Sequence, residues 1–346
     1  MVVSETLLKR LYNREFKELF LEKYLSDDRT RLSYVVYLAR IAKYERKLGR
    51  DLCNFNQKQT IKMFSNMKIS SHTTMKTLFN ICKVYASWTC GKKYNKDYNM
   101  PFVYIEYEED IFPLLDFSEL KNKYITEEQL WNIIDNYSLN AQDSICLLLP
   151  FYFIKNDKCA DLVNLKIENI NVSKSIITIG DRDIFVPKRV IEIAIESYNQ
   201  TIYNRTGEKG HGDRSTCVLS ISNFIVRPVS ENGVNEFVSA QTCAHRCRKI
   251  LELAGFKKTS INDINMSGKL HLLLQIKNKE NCVLVADYQF VNEMFGHSSA
   301  NYANVKKLFE IIYENGEHKK AERQYTRKIV KESSIDRLYG DKELET

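Results

Sequence analysis

Two short stretches near the end of this 346-residue chain decide its fold: SINDINMS, residues 260–267, and GHSS, residues 296–299. The first sets two asparagines, Asn262 and Asn265, three residues apart among small and apolar residues. The second places His297 in a glycine-led turn some thirty residues later. What these stretches mean depends on two further patterns upstream.

The upstream patterns are a leucine-rich box and a hairpin. The box KNDKCADLVNLKIENI, residues 155–170, combines Asp161 with two leucines expected to be buried, Leu162 and Leu165. The segment IITIGDRDIFVP, residues 176–187, has two alternating apolar runs around a Gly-Asp turn. This arrangement predicts a β-hairpin that carries Arg182 just after its turn.

These four patterns resemble the tyrosine recombinases, or phage integrases. In that family the first stretch reads like T-P-H-D-L-R-H-S, whose His and Arg grip the scissile phosphate, and G-H-S-S precedes the nucleophilic tyrosine. The upstream box is similar to the family's T-G-L-R-I-S-E-L-L-x-L-x-W-x-D-I. The resemblance implies a mainly α fold with a small β-sheet: an N-terminal helical core-binding (SAM-like) domain and a C-terminal tyrosine-recombinase-like catalytic-fold domain.

The chain departs from the family at the catalytic positions. In the matching register Lys158 stands for the first arginine, Asn262 for the histidine, Asn265 for the second arginine and Lys306 for the tyrosine. Arg182 lies where the family has a lysine, and arginine is a poor proton donor because it stays protonated. The resemblance with these departures implies a protein that binds DNA without cutting it, with no enzymatic activity, cofactor or metal.

An active but atypical recombinase stays an alternative. Tyr302 and Tyr313 flank the expected nucleophile position, although one is too early and the other too late. In that case Lys158 and Arg182 would bind the phosphate. A covalent DNA adduct would depend on one of the two tyrosines.

Composition and charge fit this interpretation. With 44% hydrophobic and 27% charged residues, the chain has a globular composition, and its longest apolar run is far shorter than the roughly 20 residues of a membrane helix. Residues 1–104 carry about eleven more Lys and Arg than Asp and Glu, whereas residues 106–168 are acidic. A basic domain is typical of proteins that meet a polyanion, although a solvated basic surface would look the same. Without a secretory signal at its start, the protein is expected in the bacterial cytoplasm.

The first hundred residues predict a helical domain. Helices are expected over 29–48, 55–67 and from Ser70 to Trp88, with Gly49 ending the first of them. We place a core-binding-like DNA-binding domain at 1–105, a linker at 106–123, the recombinase-like domain at 124–316 and a charged segment at 317–346. The recombinase-like domain opens with a capping box at Thr126 to Gln129.

The nine cysteines are scattered and odd in number, which argues for reduced thiols in the core. Cys243 and Cys247 flank His245, but a structural zinc site needs a fourth ligand at recognisable spacing. This group is therefore interpreted as a helix face with an unrelated histidine.

The candidate DNA-binding residues fall into four groups, each of which would otherwise be a solubilising surface or a disused pocket. On the first long helix they are Arg40, Lys43 and Lys47; on the next helix they are Gln57, Lys58 and Lys62, as base or phosphate contacts. At the start of the third helix, where free amides favour phosphate, they are Ser71, His72, Thr73, Thr74 and Lys76. In the second domain they are Lys158, Arg182, Asn262, Asn265 and His297, with a basic cluster of Arg246, Arg248 and Lys249.

The function that this implies is transcriptional repression. The chain resembles the recombinase-like repressors of SPβ-type temperate phages, which implies a double-stranded DNA operator and the maintenance of lysogeny in a prophage. An architectural or accessory protein that acts through a regulatory or peptide-responsive protein partner is a second alternative. Self-association on DNA stays open.

Overall fold

A computed structural model describes residues 4–90, 92, 95, 100–152, 159–205, 216–229 and 238–314. The chain forms two compact units, Met1–Leu120 and Lys121–Thr346. Lys158, the loop from Thr206 to Ser215 and the predicted charged segment 317–346 lie outside the described residues.

The first unit is helical in its described part. Its helices are α1 (Glu5–Leu8), α2 (Arg14–Tyr24), α3 (Asp28–Leu48), α4 (Gln57–Asn66), α5 (His72–Thr89) and α6 (Phe117–Lys121). The side chain of Asp27 accepts from the Thr30 amide and starts α3, and Gly49, with a φ of 62°, ends it. The three helices predicted here are confirmed, with α4 beginning two residues late because Asn56 caps it.

The segment 106–123, predicted as a linker, is instead folded onto the first unit over most of its length. It contains two helical turns, Tyr107–Ile111 and Phe112–Leu114, followed by α6. The Tyr107 ring lies 5.6 Å from that of Phe79 on α5, and the Asp116 amide donates to the Ile69 carbonyl over 2.9 Å. Four of its apolar side chains are buried, those of Tyr107, Ile111, Leu115 and Leu120, and this burial outweighs the acidic composition that suggested a linker.

A buried network of charged and polar side chains joins four segments of the first unit. The ammonium of Lys17, on α2, lies 2.6 Å from Glu45 on α3 and 3.3 Å from Asp51, and none of these side chains is more than 1% exposed. Tyr85 on α5 donates to Asp51 over 3.0 Å. Burial raises the pKa of Glu45 to about 7, partly offset by Lys17.

The second unit combines eight helices and five short strands in its described part. The helices are α7 (Glu127–Tyr137), α8 (Ala141–Phe151), α9 (Ala160–Val163), α10 (Lys188–Asn199), α11 (Ala240–Leu253), α12 (Ile261–Glu280), α13 (Val285–Met294) and α14 (Ala303–Tyr313). The strands are β1 (Ile170–Asn171), β2 (Ile176–Ile179), β3 (Arg182–Phe185), β4 (Ile202–Asn204) and β5 (Thr216–Val218). All strand pairs are antiparallel, in the orders β1-β2-β3 and β4-β5.

Local signals in the second unit are confirmed. Thr126 and Gln129 form the reciprocal capping box of α7. In the predicted hairpin Ile179 pairs with Arg182 across the Gly180-Asp181 turn, and Gly180 has a φ of 61°. The turn therefore fixes Arg182 as the first residue of β3.

Helix α8 is the centre of the second unit, because all eleven of its residues are buried. It packs against α10, α11 and α12. A Cβ on Gly268 of α12 would lie 2.0 Å from the carbonyl oxygen of Phe151, so only glycine permits this helix crossing.

The cysteines mostly fill the core. Cys243 and Cys247 lie buried on one face of α11, with the Cys247 thiol 3.2 Å from the Cys146 carbonyl, whereas His245 is exposed. Within the described ranges, the helices are too short or too polar to cross a membrane.

Replacing Lys17 by methionine should destabilise the first unit strongly, because Glu45 and Asp51 would keep buried carboxylates without their cation. The expected loss is about 3–5 kcal/mol, the usual cost of removing one partner of a buried ion pair. Urea unfolding of the full chain measures it. Arg14→Met is the control, because its ion pairs with Glu5 and Glu18 are at the surface; an equal loss in both variants would contradict this assignment.

Candidate functional site

The SINDINMS stretch forms the first turns of α12. Ser260 and Asp263 make a reciprocal capping box, and Asp263 also binds the Lys123 ammonium at 2.8 Å. This cap fixes where α12 begins. Asn262 is left exposed and Asn265 is turned inward, 6% exposed.

Asn265 is a packing residue with a defined hydrogen bond. Its side-chain amide donates to the Pro150 carbonyl over 3.0 Å. Pro150 lies in the last turn of α8, so the bond joins α12 to the central helix. A neutral amide can make this bond at low cost in the core, whereas an unpaired charge there would be expensive.

Arg182 is held at the end of α13. Its guanidinium donates to the Met294 carbonyl over 3.2 Å and lies 3.7 Å from a carboxylate oxygen of Asp161 at the start of α9. The side chain is 28% exposed. The structure thus brings together the upstream box, the hairpin and the GHSS turn.

The GHSS turn approaches Arg182 through its glycine. Gly296 has a φ of 70°, and a Cβ there would lie 3.0 Å from the guanidinium carbon of Arg182. The His297 amide donates to the Asn292 carbonyl over 2.9 Å, and the imidazole is half-buried. Ser298 caps the following turn, Ser299–Asn301. Glycine is needed at 296 for both backbone conformation and space.

Lys306, in the position of the family's tyrosine, lies half-buried on α14 with its ammonium 3.8 Å from Glu310. Tyr302 caps the start of α14, and Tyr313 ends it with its ring 5.2 Å from that of Phe309. Burial raises the pKa of the Tyr313 phenol, which disfavours the phenolate.

Sequence reasoning missed Lys269. It lies four residues beyond Asn265 and seven beyond Asn262, on the same face of α12, and only 4% of its surface is exposed. Its ammonium donates to the Asn292 side-chain oxygen over 2.8 Å. The signal available in the sequence was a lysine inside an apolar run, at helical spacing from both Asn262 and Asn265.

The predicted basic cluster on α11 does not form. Arg246 is 5% exposed, with its guanidinium 3.7 Å from the Asp143 carboxylate and 4.7 Å from the Tyr203 ring centroid. Arg248 is exposed and Lys249 half-buried. Residues two apart on a helix point to opposite sides, so Arg246 is a core residue and Arg248 a surface residue.

The first unit carries its candidate residues at the surface. Arg40, Lys43 and Lys47 are exposed on α3, opposite the buried face that includes Val35, Leu38 and Ile41, and Lys58 and Lys62 are exposed one turn apart on α4. Gln57 is also exposed, and its side-chain amide donates to the Tyr104 carbonyl over 3.2 Å.

At the start of α5 the candidate residues differ from one another. Ser71 caps the helix and accepts from the Thr74 amide over 3.3 Å. Thr73 and Lys76 are exposed, and Thr74 is half-buried. His72 packs edge-on against Tyr107 and Phe112, at 5.8 and 5.6 Å, which makes it an anchor for the folded segment 106–120.

The helical first unit and the hairpin-bearing second unit each match one domain of a known family, a core-binding domain followed by a catalytic domain. Residues 11–91 match the family model described as the MrpR N-terminal core-binding domain, and residues 124–340 match the MrpR C-terminal catalytic domain. The chain belongs to the MrpR family.

Solved structures similar to this chain include XerA recombinase, at 12% identity and a TM-score of 0.38, covering 93% of this chain and 100% of that one. The integrase from mycobacterium phage Brujita is 13% identical with a TM-score of 0.36, covering 93% and 97%. A lambda integrase tetramer bound to a Holliday junction is 9% identical with a TM-score of 0.44, covering 92% and 79%. No curated protein sequence matches this chain significantly.

Gly296→Ala should destabilise the second unit by more than backbone strain alone, because the new methyl group would displace the Arg182 guanidinium. Gly255→Ala is the control: its φ is 90°, but nothing lies within 4 Å of the new Cβ. We expect about 1–2 kcal/mol of strain for a positive φ in either variant, with a further loss in Gly296→Ala alone. Chemical denaturation compares them, and equal losses would show that Arg182 moves away freely.

Proposed function

We propose that this protein binds double-stranded DNA sequence-specifically without cleaving it and acts as a phage transcriptional repressor that maintains lysogeny. The observation that carries the proposal is that the Asn265 side chain is buried and that its amide donates a hydrogen bond to the Pro150 carbonyl. In the tyrosine recombinases, which the sequence motifs resemble, this position holds an arginine that binds the scissile phosphate.

Strand cleavage through a phosphotyrosine requires a nucleophile in register. It also requires positive charge around the scissile phosphate, to stabilise the negative charge that develops there in the transition state. Asn262 and Asn265 are neutral, and Lys306 occupies the nucleophile's place. Hydrogen bonds from neutral groups are roughly half as strong as charge-assisted ones. A phosphate contact through Arg182 remains chemically reasonable, but activation of the scissile bond does not.

Occupying an operator needs affinity and discrimination rather than chemistry. The exposed lysines and arginines of α3 and α4 suit phosphate neutralisation, and the polar start of α5 suits phosphate or base contacts. Membership of a family whose first domain is named core-binding supports the same interpretation. Repression then follows from promoter occupancy.

The active recombinase remains the second candidate because Tyr302 is half-exposed at the start of α14. An accessory protein acting through a protein partner would bind DNA weakly and with little sequence preference. A single binding experiment distinguishes the proposal from both alternatives.

Selection of bound fragments from phage and host genomic DNA, at two salt concentrations, should recover a recurring short site with salt-sensitive affinity. Denaturing electrophoresis of the bound fraction, with a nicked suicide duplex included, should show no covalent adduct. An adduct lost in Tyr302→Phe or Tyr313→Phe would restore the recombinase. Binding without sequence preference would favour the accessory protein.

Charge removal at the proposed phosphate contacts should lower affinity for all duplexes in parallel. For Lys43→Ala, Lys47→Ala and Arg182→Ala, each true contact should reduce the slope of log affinity against log salt by about 1. Lys188→Ala, exposed at the start of α10, is the control for net charge. If the control changes the slope as much, general charge and not these contacts governs binding.

A further inference from the structure

Lys269 is a buried cation with no carboxylate partner among the described residues. Its ammonium makes one hydrogen bond, to the neutral side chain of Asn292, and lies 5.6 Å from the Phe295 ring centroid. A buried ammonium paired only with an amide and a ring is costly, since removing a charge from water is poorly repaid by neutral groups. Aliphatic residues surround this position along α12, so an apolar side chain would suit the core better.

Burial is the sole cause of a lowered pKa for Lys269, at about 8. Charged and titratable groups lie on α12 itself and on α8, α11, α13 and α14, which pack against it, but burial is the one cause of the shift. These groups are Asp263, His271, Lys277, Lys279 and Glu280 on α12, Asp143 and Cys146 on α8, Cys243, His245, Arg246, Cys247, Arg248, Lys249 and Glu252 on α11, Asp287, Tyr288 and Glu293 on α13, and Lys306, Lys307, Glu310 and Tyr313 on α14. At neutral pH the ammonium is therefore mostly protonated, and no carboxylate of the described residues compensates its charge.

Two short routes connect Lys269 to the GHSS turn. Through Asn292, the side chain accepts from Lys269 while the backbone carbonyl accepts from the His297 amide. The second route runs through Phe295, whose ring centroid lies 5.6 Å from the Lys269 ammonium. Phe295 lies between Met294, whose carbonyl accepts from the Arg182 guanidinium, and Gly296, where an added Cβ would lie 3.0 Å from that guanidinium. Lys269 thus underlies the turn that holds Arg182.

We propose that Lys269 is a positioning residue that supplies buried positive charge beneath the Gly296–His297 turn for a DNA phosphate held at Arg182. This inference rests on the proposed DNA-binding function. It acts through Asn292 and Phe295 without touching the phosphate. A charge in a low-dielectric interior acts at longer range than a surface lysine, which salt and water screen. The DNA phosphate then provides the anion that the described residues do not supply.

This arrangement links DNA binding to protonation. A phosphate at Arg182 favours the ammonium, so the pKa of Lys269 is higher in the complex than in the free protein. Below a pH of about 8 the free protein already carries the proton, and affinity is at its full value. Above it, binding requires proton uptake, and affinity falls by up to about tenfold per pH unit.

The test compares wild type, Lys269→Met and Lys257→Met in the full chain, using the genomic duplex recovered by selection, at constant salt from pH 6.5 to 9. Lys257 is exposed and serves as the control for loss of one charge. Wild type and the control should lose affinity above pH 8. The Lys269→Met variant should bind about tenfold more weakly at pH 7, the equivalent of one pKa unit, and lose this pH dependence. Its unfolding in urea should show equal or greater stability.

A Lys269→Met variant with unchanged affinity and pH dependence would overturn the inference and leave Lys269 as a tie between α12 and α13. If the wild-type protein binds no duplex selectively at any pH, both the proposed DNA-binding function and the inference about Lys269 are overturned. If Lys269→Met does not fold, NMR titration of the Lys269 side chain in wild type decides the question. Its pKa should rise on addition of the duplex, and an unchanged pKa would refute the linkage.

Discussion

Burial of α8 on every side is the constraint on which the second unit depends. The helix carries polar residues that need partners in the core, and it finds them on the surrounding elements: the Gln142 amide donates to the carbonyls of Ser197 and Ile225, and Asp143 lies 3.7 Å from Arg246. At its other end the Pro150 carbonyl accepts from Asn265, and Phe151 contacts α12 where only Gly268 fits. Because buried polar groups must be paired, α10, α11 and α12 have little freedom around it.

The same constraint determines what the motif asparagines can do. The face of α12 that reaches α8 is fixed by the Gly268 crossing, so Asn265 lies at the protein core and makes a structural hydrogen bond. Positive charge around the GHSS turn comes instead from Arg182 at its side and Lys269 beneath it.

Each unit contains a buried charged side chain whose neighbours define its role. Lys17 faces two carboxylates, and this makes it a structural tie within the first unit. Arg246 faces Asp143 and the Tyr203 ring, which likewise satisfies it within the core. Among the described residues, Lys269 faces a neutral amide and a ring but no carboxylate. This difference in partners, rather than burial alone, identifies Lys269 as the buried cation to which a bound ligand could supply the counter-charge.

The sequence by itself determined the local elements and the order of the two domains: Gly49 and Thr126 mark helix ends, Gly180 fixes the hairpin turn, and a core-binding domain precedes a catalytic domain. These signals act over a few residues, where caps and turn chemistry dominate. Only the tertiary structure decided which charges are exposed. Arg246 and Arg248 look equivalent in sequence, and Lys269 looks out of place in an apolar run. Their burial depends on which face of α11 and α12 packs against neighbours distant in the chain, and that rotation is fixed by contacts such as Gly268 to Phe151.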